Sequence, residues 1–179
     1  LMASISKVDR KTQKSVTYCL IYGGGDYRLG ITAGASKTDA VKRGKELRNK
    51  LLTGIKGFKE LNDALQDRAK HGVIRAIDGR PIRLLGKSHA ALNYLLQSCG
   101  AVICKLWVIR TNELLKENKI DYWPMAFVHD EMQLSIKHEH AIKACELAKI
   151  AMKDVQARLA FRCELDCDTQ IGNSWADTH

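Results

Sequence analysis

Two short apolar runs, Met125-Ala126-Phe127-Val128 and Met132-Gln133-Leu134-Ser135-Ile136, are separated only by His129-Asp130-Glu131. A linker that short must turn the chain straight back, so the segment is expected to be a tight β-hairpin presenting three ionisable side chains together. Adjacent carboxylates at one turn repel each other unless a cation neutralises them. Oxygen donors of this kind suit Mg²⁺. A plain exposed turn is the alternative, but such turns more often recruit Gly or Asn beside Asp. The hairpin is therefore the first candidate site.

The surrounding pattern is mostly helical. A helix is expected from about Val8 to Tyr22, with an apolar stripe at Val16, Cys19 and Leu20 and a stop at Gly23-Gly24-Gly25-Asp26. A second helical region runs from about Ser36 to Lys70, divided near Gly54 and Gly57. Val73–Ile77 and Pro81–Leu85 flank Asp78-Gly79-Arg80 as a short hairpin. A long helix follows from about Ser88 to Glu117, with Leu92, Leu95, Leu96, Cys99, Val102, Ile103, Leu106 and Ile109 as its apolar face. After the ionisable hairpin come a helix from about Glu139 to Leu159 and a strand near Glu164 to Gln170. The class this predicts is α+β with a small antiparallel sheet.

Two ridges carry further chemistry. Arg10, Lys14, Tyr18 and Tyr22 lie four apart on the first helix, so each step drifts by only about 40° and the four form one row about 18 Å long. Two cations near a helix N-terminus make an anion site suited to a polyphosphate, and two rings beyond them offer stacking surfaces for a base or sugar. On the long helix, His89, Asn93 and Gln97 form a second row with the same spacing. Their donors suit the acceptors that line a duplex minor groove. Taken alone, each row is better explained without function, the first as a solvated basic helix with two core tyrosines and the second as a polar outer face.

Charge points the same way. The 179 residues carry 29 Lys and Arg against 20 Asp and Glu, a formal net charge of +9. That excess predicts an anionic partner, nucleic acid first. The basic residues are scattered through apolar periodic segments, which excludes a histone-like tail. No run reaches the roughly 18 uninterrupted apolar residues of a membrane span, so no membrane partner is expected. The first residues lack the pattern of a signal peptide. Six cysteines without a CxxC pair argue against a zinc site and fit a reducing cytoplasm.

Together these constellations resemble the family A, Pol I-like DNA polymerases, most nearly the replicative enzymes of short-tailed T-odd bacteriophages. Arg10-xxx-Lys14-xxx-Tyr18-xxx-Tyr22-Gly23 is similar to motif B, the fingers helix. His129-Asp130-Glu131 is similar to motif C. The likeness extends through Leu20–Asp26, His89–Asn93, Leu96–Ser98, Ile103–Trp107, Phe161–Cys163 and the ending Asn173–Ala176 to His179, nearly the whole chain in order.

The resemblance implies a right-hand polymerase fold that is incomplete here, with fingers over residues 1–86 and the C-terminal part of the palm over 87–179. It implies that Arg10 and Lys14 hold the triphosphate of a dNTP, with Lys14 donating a proton to the leaving pyrophosphate. Tyr18 would lie against the sugar and influence discrimination at its 3′ position. Tyr22 would flank the nascent base pair, with Gly23 to Gly25 allowing close approach. His89, Asn93 and Gln97 would follow the minor groove of the primer–template, Arg80 would meet DNA, and His129 would lie near the primer terminus. Asp130 would ligate one of two Mg²⁺ ions, with Glu131 in a supporting catalytic role.

One part of the family pattern is missing. A second metal-bridging aspartate belongs to motif A, ahead of motif B, yet the only acidic residue before Arg10 is Asp9 in the same helix start. The chain is therefore expected to be a portion of a longer or split polymerase, or a remnant of one, unable to extend a primer without a partner segment carrying motif A and the thumb. A phage or prophage product would work in the host cytoplasm. Two other readings stand beside this one. The first is a non-catalytic DNA-binding subunit, and the second is a Mg²⁺-dependent phosphohydrolase built on the hairpin.

Overall fold

The computed structural model describes residues 9–178, so Val8, the residues before it and His179 lie outside the described residues. The chain divides into two compact units between Ser98 and Cys99, inside its longest helix.

The first unit opens with α1, Arg10–Ile21. Asp9 caps it: the carboxylate accepts from the amides of Lys11 at 2.9 Å and Thr12 at 3.0 Å, satisfying two of the donors a helix start leaves open. The expected stop is present, with Tyr22 as C-cap and Gly23 left-handed at φ +76°. A short helix that the sequence reading did not anticipate follows at once, α2 at Asp26–Thr32. The expected long helical region is divided at the glycines into α3, Ala40–Gly54, and α4, Phe58–Ala69. α2 and α3 pack backbone to backbone: a Cβ on Gly30 would collide with the Ala40 carbonyl, and one on Gly44 with the Asp26 carbonyl. Arg48 ties the pair by donating from Nε to Asp26 Oδ1 at 2.7 Å and from Nη2 to the Gly24 carbonyl at 2.6 Å.

Beneath this lies a cluster of Val16, Leu20, Leu29, Leu47 and Leu51. Each fully buried leucine contributes about 1.5–3 kcal/mol relative to exposure. The first hairpin is shorter than expected: β1, Val73–Arg75, pairs antiparallel with β2, Pro81–Arg83, in the register Ile74↔Ile82. Ile77 is 40% exposed and Leu85 84% exposed, so those apolar residues extend the sequence pattern but not the ladder. Ile74 and Leu84 pack with Leu65, Ala69, Ala91 and Leu92.

A 3₁₀ turn at Ser88–Ala90 leads into α5, Ala91–Glu117. By length and composition alone the stretch Ser88–Glu117 is apolar enough to cross a membrane, with a mean hydropathy of 1.4, although Asn93, Gln97 and Lys105 interrupt its apolar run. Of its most apolar window 17% is buried, and within the second unit Trp107, Thr111, Leu114 and Leu115 are buried. The expected stripe is only partly right, because Leu96 and Ile109 are exposed while Trp107 is buried.

In the second unit, α5 from Cys99 onward packs on α6, His138–Arg158. Ala144, Ala148 and Ala151 give α6 a low face at helical spacing. There the Trp107 indole donates to the Ala148 carbonyl at 2.9 Å. Arg110 clamps the same helices, with Nε on Asp154 at 2.7 Å and Nη1 on Glu113 and Glu117. β3, Tyr122–Val128, pairs antiparallel with β4, Glu131–Ile136, with a bulge between Pro124 and Ala126. Tyr122, Met132, Leu134 and Ile136 contact the core of this unit. The expected terminal strand is absent: residues 164–170 are in no ladder. They run alongside α6, with the Leu165 amide bonded to Gln156 Oε1 at 2.8 Å and Leu165 and Cys167 against the core. Alternating burial is what one-sided packing imposes, and it does not require a strand partner. A four-residue helix, α7, Trp175–Thr178, closes the described chain. Mostly helical with two small antiparallel sheets, the fold is α+β.

Candidate functional site

α1 is amphipathic in the sense that matters for its ridge. Gln13, Val16 and Leu20 face inward, and Gln13 is held by Thr17 through a 2.8 Å bond. That leaves Arg10, Lys14, Tyr18 and Tyr22 exposed along the other side. The row is a connected surface. Lys14 Nζ stands 5.9 Å from the centroid of the Tyr18 ring, within cation–π range. The rings of Tyr18 and Tyr22 meet edge to face at 6.4 Å. Both tyrosines are about half exposed, so neither is a core residue.

The second ridge joins the first. Gln97 donates from Nε2 to the Tyr22 hydroxyl at 3.4 Å. At Gly23, a Cβ would stand 2.5 Å from the His89 carbonyl oxygen, so the helix stop and the start of the second ridge touch through backbone. His89 and Gln97 are exposed, while Asn93 is half-buried. Asn93 Oδ1 is buried and accepts no hydrogen bond among the described residues, a deficit of about 1–3 kcal/mol. Behind the junction is a cavity of about 270 Å³ bordered by Leu20, Gly23, Arg48, Phe58, His89 and Leu92. Arg80 is placed differently, because its Nε is bonded to Asp78 Oδ2 at 2.6 Å within its own hairpin turn.

In the second unit, the ionisable hairpin departs from expectation in one respect. The loop has two residues, not three: Val128 pairs with Glu131, which is the first residue of β4. His129 occupies the left-handed region at φ +56°. Of the side chains other than Gly, Asn, Asp and His enter that region most readily. Asp130 is exposed at the tip. Glu131 is half-buried, and its Oε1 accepts from the Trp175 indole at 3.1 Å and from the Gln133 carboxamide. The turn thus separates the two carboxylates into different environments. Burial, with the Asp130 charge behind it, pushes the Cys104 thiol above its usual range.

Among the described residues no three His, Cys, Asp or Glu side chains gather as a metal site. Asp130 fits as one oxygen ligand, but one carboxylate is an incomplete set for Mg²⁺. Trp175, Gln133 and Arg48 have structural roles that residue spacing did not reveal. Trp175 appears in the sequence only as part of a matching ending, and its contact spans 44 positions.

The family model described as DNA polymerase family A matches residues 2–177. The chain is 35% identical to the DNA-directed DNA polymerase of Enterobacteria phage T3 and 36% identical to that of Escherichia phage T7, in each case over 95% of this chain and 27% of the relative. It is 26% identical to DNA polymerase I of Aquifex aeolicus, over 96% of this chain and 30% of that protein. Among solved structures, the POL domain of Pol1 from M. smegmatis, in complex with DNA primer-template and dNTP, superposes with a TM-score of 0.71 at 20% identity, covering 86% of this chain and 30% of that one. The chain therefore spans under a third of the length of these relatives.

Proposed function

The chain belongs to DNA polymerase family A, and on that premise we propose that it supplies the nucleotide-holding helix and one active-site carboxylate for template-directed addition of dNTP to a primer 3′-hydroxyl. The observation that carries this reading is the exposed, connected row Arg10, Lys14, Tyr18 and Tyr22, with Gln97 bonded to its far end. Cations at a helix start and rings further along match the order of a nucleotide, phosphates first and base last.

In this reading Arg10 and Lys14 bind the triphosphate, and Lys14 gives a proton to the departing pyrophosphate oxygen. Tyr18 lies against the sugar and Tyr22 against the nascent base pair. His89, Asn93 and Gln97 follow the minor groove, Arg80 meets DNA, and His129 stands by the primer end. Residues 1–86 are assigned to fingers and 87–179 to palm. Asp130 is the direct metal ligand and Glu131 its support. Asp130, with a second carboxylate from a partner segment, would hold two Mg²⁺ ions, which would supply charge stabilisation for an in-line displacement. This chain's own part is positioning and charge neutralisation. The setting is the cytoplasm, that of the host cell if the chain is phage- or prophage-encoded.

A one-carboxylate donor set also implies that the 179-residue chain alone does not extend a primer, and that a polymerase segment bearing the second carboxylate and the thumb completes it. Two measurements test the reading. Lys14→Ala should abolish dNTP binding, whereas a non-catalytic DNA-binding subunit would be indifferent to it. Primer extension by the purified chain should not exceed that of Asp130→Ala. Incorporation above that control would overturn the incomplete-site assignment.

A further inference from the structure

Glu131 and Trp175 are far apart in sequence, yet the short helix α7 reaches the hairpin by two routes. The Trp175 indole donates directly to Glu131 Oε1 at 3.1 Å. Thr178 Oγ1 donates to Gln133 Oε1 at 3.4 Å, and the amide nitrogen of the same Gln133 donates to Glu131 Oε1. The turn before α7 is itself fixed. Asp177 Oδ2 accepts from the amides of Asn173 and Ser174, both at 2.9 Å, and from the Ser174 hydroxyl at 3.0 Å. Trp175 is half exposed, so its indole is not placed there by burial alone. Two N–H donors occupy the two lone pairs of one carboxylate oxygen.

We infer that Trp175 is a positioning residue for Glu131: with Gln133 it fixes Oε1 and keeps this carboxylate in the scaffold, so that Asp130 is the one the hairpin tip offers outward. The turn sets the two acids apart, and α7 together with Gln133 holds Glu131 on the inner side of that division. The inference rests on the polymerase reading only for what Asp130 holds; the clamp on Glu131 is a matter of this chain's own geometry.

The test uses the 179-residue chain labelled with ¹⁵N, at one fixed pH, with manganese(II) alone as the probe. In Glu131→Ala, the Trp175 indole N–H resonance should move upfield, while that of Trp107, whose acceptor is the Ala148 carbonyl, stays in place. An unmoved Trp175 resonance overturns the clamp. In Trp175→Phe, Glu131 Oε1 keeps the Gln133 donor but loses the indole, which loosens the carboxylate toward Asp130, so manganese-induced broadening at the tip should half-saturate at a concentration lower by about threefold or more. That gain should disappear in Trp175→Phe/Glu131→Gln. Unchanged or weaker manganese binding in Trp175→Phe, with the Trp107 resonance in place, also overturns it. If broadening in the wild type is insensitive to Asp130→Ala, the metal reading fails, and the indole comparison still decides the clamp.

Discussion

Gln97 and Tyr22 stand 75 positions apart, and the carboxamide of one donates to the hydroxyl of the other across 3.4 Å. The bond lies near the long limit of hydrogen-bond geometry and at the surface, so it aligns two ridges without fusing them. A double-mutant cycle of Tyr22→Phe and Gln97→Ala, followed by chemical denaturation, should give a coupling of about 0.5–1 kcal/mol. A coupling of zero would mean that the contact does not persist in solution.

Gly23 has both a left-handed backbone and the His89 carbonyl at its open side. Gly23→Ala should therefore cost at least about 1–2 kcal/mol from the backbone alone, and more as His89 is displaced. Gly25 has nothing within contact range of a Cβ and a negative φ as the N-cap of α2, so Gly25→Ala serves as the control. Equal melting curves for the two variants would contradict the close approach.

On α5, Leu115 is fully buried whereas Ile109 is 53% exposed, although periodicity placed Ile109 in the apolar stripe. Leu115→Ala should destabilise the chain by about 2–5 kcal/mol. Ile109→Ala should change stability by no more than about 0.5 kcal/mol. The reverse ranking in urea would show that the inward face of the helix had been assigned wrongly.

The Asp9 carboxyl titrates below the usual carboxylate range, chiefly because of its hydrogen bonding with Thr12. A depressed folded-state value means that its support for α1 is fully present above the unfolded pKa of about 4 and is lost as pH falls through the lower folded value. Protection of the Lys11 and Thr12 amides, measured relative to their intrinsic exchange rates at each pH, should fall over that acid window. Asp9→Asn retains a cap and should flatten the dependence.

His129 pays for its turn with backbone strain of about 1–2 kcal/mol. His129→Gly should leave the hairpin as stable or stabilise it by up to about 1 kcal/mol, while weakening primer–template binding. His129→Val should be the destabilising substitution. A loss of stability in His129→Gly would indicate that the imidazole supports the fold.

The sequence disclosed features whose physics is local. Four-residue spacing was enough to put Arg10, Lys14, Tyr18 and Tyr22 on one side of α1, and Gly54 and Gly57 were enough to divide the second helical region. α2 was missed because seven residues between glycine-rich turns carry too little periodicity, and it is its packing against α3 that sustains it. The strand expected near Glu164 failed because alternation reports one-sided burial and is silent about a ladder partner. Glu131 was grouped with the turn because register depends on cross-strand pairing, which a three-residue gap leaves undetermined. Trp175 could not be connected to Glu131 by any local rule.

The backbone contact of α2 with α3 through Gly30 and Gly44 bears on how a mutational scan of this chain would look. Both positions should be among the least tolerant of substitution in the chain, although neither has a side chain to touch a ligand. Arg10 and Lys14, exposed on α1, should tolerate most substitutions other than proline in a screen for abundance and, on the proposed function, few in a screen for nucleotide binding. Comparing the two screens would separate residues that shape the chain from residues that use it, a distinction that either screen alone would erase.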